Sequence, residues 1–239
     1  KDLSLIDESR NWYKNVNEEV DKLVQGNAKL KEDVMRLLTV YSSQTPVETN
    51  LAYTLRSLVA MAKGADPLPG FQPEAGKFAK AALEAPDFGQ KLEGVGWKLQ
   101  SFYENLTGKN PDAVTMDTWM FKLLGFAKGQ GQLSHHRYGT AVIKEATKIF
   151  NEKNNDNLSP MEMQAVLWTY VRNKQLQEQG KPAEYVGYET FLEKASSVVT
   201  AEVIPTQSLE QFAFAEKLSD RKKAQMTKEL LDVITTSEG

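Results

Sequence analysis

The sequence predicts an all-α fold. Apolar residues recur at three- and four-residue spacing along most of the chain, and Pro and Gly breaks punctuate those runs at helix-like intervals. No stretch alternates convincingly enough for a strand, and no internal repeat is present. With 239 residues, 41% of them hydrophobic and 26% charged, the chain suits one large domain or two small lobes sharing a cleft.

The elements follow in order. Trp12, Val16, Val20 and Leu23 share one face, which predicts a helix from Ser9 to Leu23. Leu30, Val34, Leu37, Leu38 and Tyr41 do the same for Lys29 to Tyr41. The polar break Ser42-Ser43-Gln44-Thr45-Pro46 puts a proline at the first turn of a third helix, Pro46 to Lys63, stopped at Gly64. Ala65 to Gly76 reads as a loop, Glu74 to Ala85 as a short helix, and Pro86-Asp87-Phe88-Gly89 as a break. Leu92-Glu93-Gly94-Val95-Gly96 reads as a tight turn feeding a helix from Trp97 to Leu106, with Gly108 placed for a left-handed cap.

A helix from Asp117 to Phe126 comes next, then a glycine-rich loop at Lys128 to Gly131. Helices are expected at Tyr138 to Phe150 and at Pro160 to Lys174, the latter entered through Ser159 as N-cap. Two more are expected near Tyr188 to Ser196 and Leu209 to Leu231. The expected organisation is a helical domain over 1–174 and a helical extension over 175–239.

Composition removes several function classes. Without cysteine there is no disulfide, thiolate zinc site or iron–sulfur cluster. His135 and His136 are adjacent, so on a helix they point about 100° apart, which leaves little for a histidine metal site or a Ser-His-Asp triad. No metal and no cofactor is expected. No apolar run is long enough to span a membrane, and no secretory leader is visible, so no membrane partner is expected. A net charge of -3 and a pI near 5.6 run against the basic surplus usual in nucleic-acid binders, although a local patch is what meets phosphates.

One constellation carries chemistry. Gly94 and Gly96 let the backbone turn sharply and leave N–H groups free at a helix start, a place that favours an anion such as a DNA phosphate. Lys98 sits in the first turn of that helix. There the helix dipole, and any burial, disfavour its ammonium form and favour the nucleophilic amine; a solvated surface lysine is the alternative. Asp117 stands at a helix start among apolar neighbours, where it serves as a cap, as a buried acid, or as both. Trp97 and Trp119 flank these two residues and belong either to the core, with Trp12 and Trp168, or to a pocket lining.

These residues carry a resemblance. Leu92-x-Gly94-Val95-Gly96-x-Lys98, followed by Val114-x-x-Asp117-Thr118-x-Met120, resembles the signature of the helix-hairpin-helix DNA-glycosylase superfamily, the family of endonuclease III and the oxoguanine glycosylases. Leu37-Leu38-Thr39-Val40-Tyr41-Ser42-Ser43-Gln44-Thr45 with Asn50 is similar to the family's Leu-Leu-Ser-Ala-Gln-Thr segment. Pro160-x-Glu162-x-Gln164-Ala165-x-Leu167-Trp168 with Arg172 is similar to a late family helix. Phe102-Tyr103-Glu104-Asn105-Leu106 and the Val-Thr-x-Asp phrase also resemble phage-encoded proteins.

The resemblance implies two helical lobes flanking a cleft, with the hairpin near 86–106. It implies a glycosylase, with or without abasic-site lyase activity, that flips a damaged or modified base out of double-stranded DNA. Lys98 and Asp117 would be catalytic: the amine attacks the sugar, and the carboxylate stabilises positive charge and assists proton transfer. Gly94, Val95 and Gly96 would hold the phosphate backbone, and Gln44 would fill the gap left by the flipped base. The departures are Glu93 where the hairpin has proline, Trp119 where a histidine is usual, the missing cluster cysteines and the acidic pI. A silent DNA-binding or virion-associated protein reusing the fold is the alternative function, in a larger phage or virion assembly. A helical interaction module with no nucleic-acid role is a third. The expected location is cytoplasmic, in the host cell or the virion if phage-encoded.

Two further segments stay open. Lys128 to Gly131 with His135-His136-Arg137-Tyr138 is either a surface loop or a nucleic-acid contact. Arg221-Lys222-Lys223 reads as a solvated helix face.

Overall fold

The computed structural model describes residues 8–43, 45, 47–68, 74–88, 96–126 and 132–181. Among these residues the chain is all-helical, with no strand. The elements are α1 (Trp12–Val24), α2 (Ala28–Tyr41), α3 (Val47–Ala62), α4 (Ala75–Glu84), α5 (Trp97–Thr107), α6 (Thr118–Leu123), α7 (Leu133–Asn154) and α8 (Pro160–Glu178). No helix among them is long and apolar enough to cross a membrane. The two helices expected beyond Tyr188, and the Arg221-Lys222-Lys223 face, lie outside the described residues.

Contacts divide the described residues into two units: 8–18 with 87–181, and 19–86. In the 19–86 unit, α2 packs against α3 and α4. Its core holds Val34, Met35, Leu37, Leu38, Leu51, Leu55, Ala79 and Ala82, all buried. The apolar spacing that predicts α2 is the face that packs here. Asn27 opens the helix by accepting from the Leu30 N–H at 3.0 Å. Polar side chains tie the elements together. The Asn50 amide donates to Leu38 O at 2.8 Å, and the Tyr41 hydroxyl meets Ser57 Oγ and Leu68 O, each at 2.7 Å.

In the other unit, α6 and α7 pack on α8, and α5 packs on α7. Val114, Met116, Met120, Ile143, Leu158 and Met163 form its apolar centre, with Phe121, Phe150 and Trp168 packed against it. Two boundaries differ from the sequence expectation. α6 ends at Leu123 rather than Phe126, because Gly125 takes φ 77° and the Phe126 N–H reaches back to Phe121 O at 3.0 Å. α7 begins at Leu133 rather than Tyr138, so His135, His136, Arg137 and Tyr138 are helical and not part of a surface loop. Gly139 does not break this helix. A Cβ there would lie 2.3 Å from Met116 Cε, so glycine lets α7 come close to the segment before α6.

The expected caps are present. Gly108 takes φ 67° after α5, and α8 opens with a full capping box between Ser159 and Glu162.

Candidate active site

The site begins with a short buried stretch. Ala113, Val114, Thr115 and Met116 are all buried, and they deliver Asp117 to the start of α6. Asp117 caps that helix: one carboxylate oxygen, Oδ1, accepts from the Trp119 N–H at 2.9 Å and the Met120 N–H at 3.0 Å. The other, Oδ2, accepts from the Trp168 indole N–H of α8 at 2.9 Å. Burial pushes this carboxyl above the usual carboxylate range. The Met120 N–H, the Lys98 charge, the Trp168 indole and the Trp119 N–H pull it back.

Lys98 occupies the first turn of α5. Gly96, its N-cap, offers no side-chain acceptor to the helix amides. Lys98 and Asp117 are each half-buried as whole residues, but their charged ends are the buried part. Burial pulls the Lys98 amine below the ordinary lysine range, while the Asp117 carboxylate pulls it back up. Each group therefore moves the other's proton equilibrium. His136 of α7 joins them: its imidazole is lowered by burial first, then by His135 and by Lys98. Chemically, this is an amine that spends more time neutral than a surface lysine, beside a carboxylate able to stabilise a cation.

Beside Asp117 lies a buried polar network. The Tyr13 hydroxyl donates to Gln164 Oε1 at 2.7 Å, and the Asn105 amide donates to Thr115 Oγ1 at 3.0 Å. Burial pushes Tyr13 up to about 12, against hydrogen bonds from Thr115 and Asn105; the Asp117 charge adds to the rise and Gln164 opposes it. Tyr13 therefore stays neutral and acts only as a hydrogen-bonding group.

Cations rest on the nearby tryptophans. The Arg137 guanidinium lies 5.7 Å from the Trp97 ring centre. Arg172 lies 5.1 Å from Trp168 and 5.8 Å from Trp119, and the Lys122 ammonium lies 5.7 Å from Trp119. Among the described residues no group of three His, Cys, Asp or Glu side chains is arranged to hold a metal ion.

Residues 4–175 match a family of unknown function, DUF7178. The chain belongs to this family. No curated protein and no solved structure matches it.

The matched span of this DUF7178 protein includes every group described above, from Tyr13 to Arg172. Of the residues selected from the sequence, Lys98 and Asp117 sense each other's charge. Gly96 is exposed at the α5 start, and Trp119 is half-buried beside Arg172 and Lys122. Of the two alternatives for Trp97, core or pocket lining, its 53% exposure removes the core, and Arg137 lies over its ring. Gly94, Val95 and Gln44 lie outside the described residues, as does the 128–131 loop. The sequence did not single out Tyr13 or the Trp168 indole as partners of the site. The one local hint was the Trp12-Tyr13 pair, two adjacent aromatics that are both buried, so α1 is enclosed on more than one face.

Proposed function

We propose that this chain is a DNA base-excision glycosylase with abasic-site lyase activity, acting on a damaged or modified base flipped out of double-stranded DNA. The observation that carries the reading is the Lys98–Asp117 pair: an amine of lowered proton affinity and a carboxylate, each sensing the other in one buried site. In this reading the neutral Lys98 amine attacks the sugar carbon that bears the base. The new C–N bond forms as the glycosidic C–N bond breaks, and the base leaves with the bonding electrons and takes up a proton. The sugar ring then opens to a Schiff base on Lys98, and Asp117 stabilises the positive charge that develops. The finer architecture, two lobes flanking a cleft with a hairpin near 86–106, is part of the same proposal. So are the phosphate-holding roles of Gly94, Val95 and Gly96 and the gap-filling role of Gln44. No cofactor takes part in this chemistry.

A second reading has its own support. Both oxygens of Asp117 are engaged, as a helix cap and by Trp168, which is what a purely structural aspartate does. That arrangement favours a catalytically silent DNA-binding or virion-associated protein.

Borohydride trapping on duplex DNA carrying an abasic site tests the first reading. A covalent adduct with the unaltered chain, lost in Lys98→Ala, is the expected result. No adduct, with salt-sensitive DNA binding intact, would remove the lyase and leave either a glycosylase that uses Asp117 and water or the silent binder.

A further inference from the structure

We infer that Arg172, supported by Lys122, is a binding site for a phosphodiester group of nucleic acid beside Asp117. The inference rests on the DNA reading above and adds a contact to it. Arg172 is half-buried on α8, with its guanidinium against two indoles, 5.1 Å from Trp168 and 5.8 Å from Trp119. Lys122 approaches the same Trp119 ring at 5.7 Å, and its ammonium donates to Gln175 Oε1 at 2.8 Å. Two cations thus gather on one ring.

Among the described residues neither cation has an acidic partner: the ion pairs there involve Arg10, Lys14, Lys22, Lys29, Lys31, Arg36, Lys77 and Lys80. Asp117 is bonded to the same Trp168 indole, but its oxygens already accept from Trp168, Trp119 and Met120. An indole ring attracts a cation through its quadrupole. It fixes the guanidinium without neutralising it and leaves the N–H fork without an anionic acceptor. A planar fork held in place by flat rings is preorganised for bidentate contact with phosphate oxygens. An incoming phosphate also offsets the repulsion between Arg172 and Lys122.

The location narrows the ligand. Trp168 links Arg172 to Asp117, so a phosphate on Arg172 flanks whatever reacts at Asp117 and Lys98. Arg137, over the exposed Trp97, likewise has no acidic partner among the described residues. Cations without counter-charge therefore collect in this unit even though the whole chain is acidic. Arg172 and Lys122 on the Trp119 ring fit the phosphodiester of a polyanion.

The test is fluorescence anisotropy of a labelled duplex carrying an abasic-site analogue, measured across a sodium chloride series. The chains compared are wild type, Arg172→Gln, Arg172→Lys and Lys122→Gln, each checked for folding by circular dichroism. Arg172→Gln is expected to bind about three- to tenfold more weakly at low salt. Its log K against log salt slope should be shallower by about one unit. Arg172→Lys keeps the charge and should keep the slope, so a shared loss of fold cannot imitate the result. Lys122→Gln should show a smaller change in the same direction. An unchanged slope in a folded Arg172→Gln would overturn the inference and leave the DNA reading standing. The absence of any salt-dependent binding by wild type would defeat the DNA reading itself. In a parallel titration without DNA, an Arg172-dependent change in tryptophan fluorescence with inorganic phosphate, alongside an unchanged DNA slope, would reassign the site to a free anion.

Discussion

Arg36 and Arg172 sit in different units and are treated in opposite ways. Arg36, in the 19–86 unit, is buried and bonded through Nε and Nη1: it donates to Glu32 at 2.9 Å, to Ala82 O at 2.7 Å and to Ala85 O. Its charge is matched and its donors close the end of α4 onto α2. Arg172 lies against ring faces, with no carboxylate beside it among the described residues. The same contrast holds for the other charges. Lys31 and Lys80, in the same unit as Arg36, pair with Asp21 and Asp66. Around Asp117, a lysine is pulled down and a carboxyl is pushed up, each by burial. Folding alone favours the first arrangement, because buried charge is tolerated when paired and hydrogen-bonded. In the proposed function, the second arrangement is where the chemistry takes place.

The comparison is sharpened first at Arg36. Arg36→Met should destabilise the chain by about 3 kcal/mol, because it strands the Ala82 and Ala85 carbonyls and leaves Glu32 without its partner. The urea unfolding midpoint reads this directly. A loss no larger than that of Arg172→Gln would erase the distinction between the two arginines.

A smaller and pH-dependent effect is expected at Trp168. Asp117 titrates above its unfolded value, so the native state holds more protons than the unfolded state in the window between them. Stability therefore falls as pH rises through that window. The Trp168 indole holds the carboxyl down, so Trp168→Phe widens the window upward. The loss in Trp168→Phe should be smallest below the ordinary carboxylate range. It should grow to about 2 kcal/mol near neutral pH, as expected for a hydrogen bond to a charged group. Unfolding midpoints across a pH series would show it, and a pH-independent loss would mean the indole acts only by packing.

How much of this was legible depended on range. The 3.6-residue period and the caps at Gly108 and Ser159 are local, and α2, α5 and α8 start within about a residue of where the sequence puts them. The α6 stop and the α7 start were missed because Gly125 closes a helix inside an apolar run, while α7 opens on polar and histidine residues without periodic contrast. At the site, Lys98 and Asp117 were visible because both stand at helix starts, where an amine and an acid have local consequences. Trp168 is 51 positions from Asp117 and Tyr13 is 151 from Gln164. Contacts at that separation leave no spacing to read. Trp97 was left open between core and pocket because helical spacing does not tell a buried tryptophan from an exposed one; its 53% exposure removes the core.

The central claim, that Lys98 and Asp117 form one coupled site, is tested most directly by a carbon-13 NMR titration of reductively methylated Lys98, in the wild type and in Asp117→Asn. The account predicts a Lys98 amine that titrates below the ordinary lysine range, and lower still in Asp117→Asn, because the carboxylate is what holds it up. A Lys98 that titrates like an exposed lysine in both chains would contradict it.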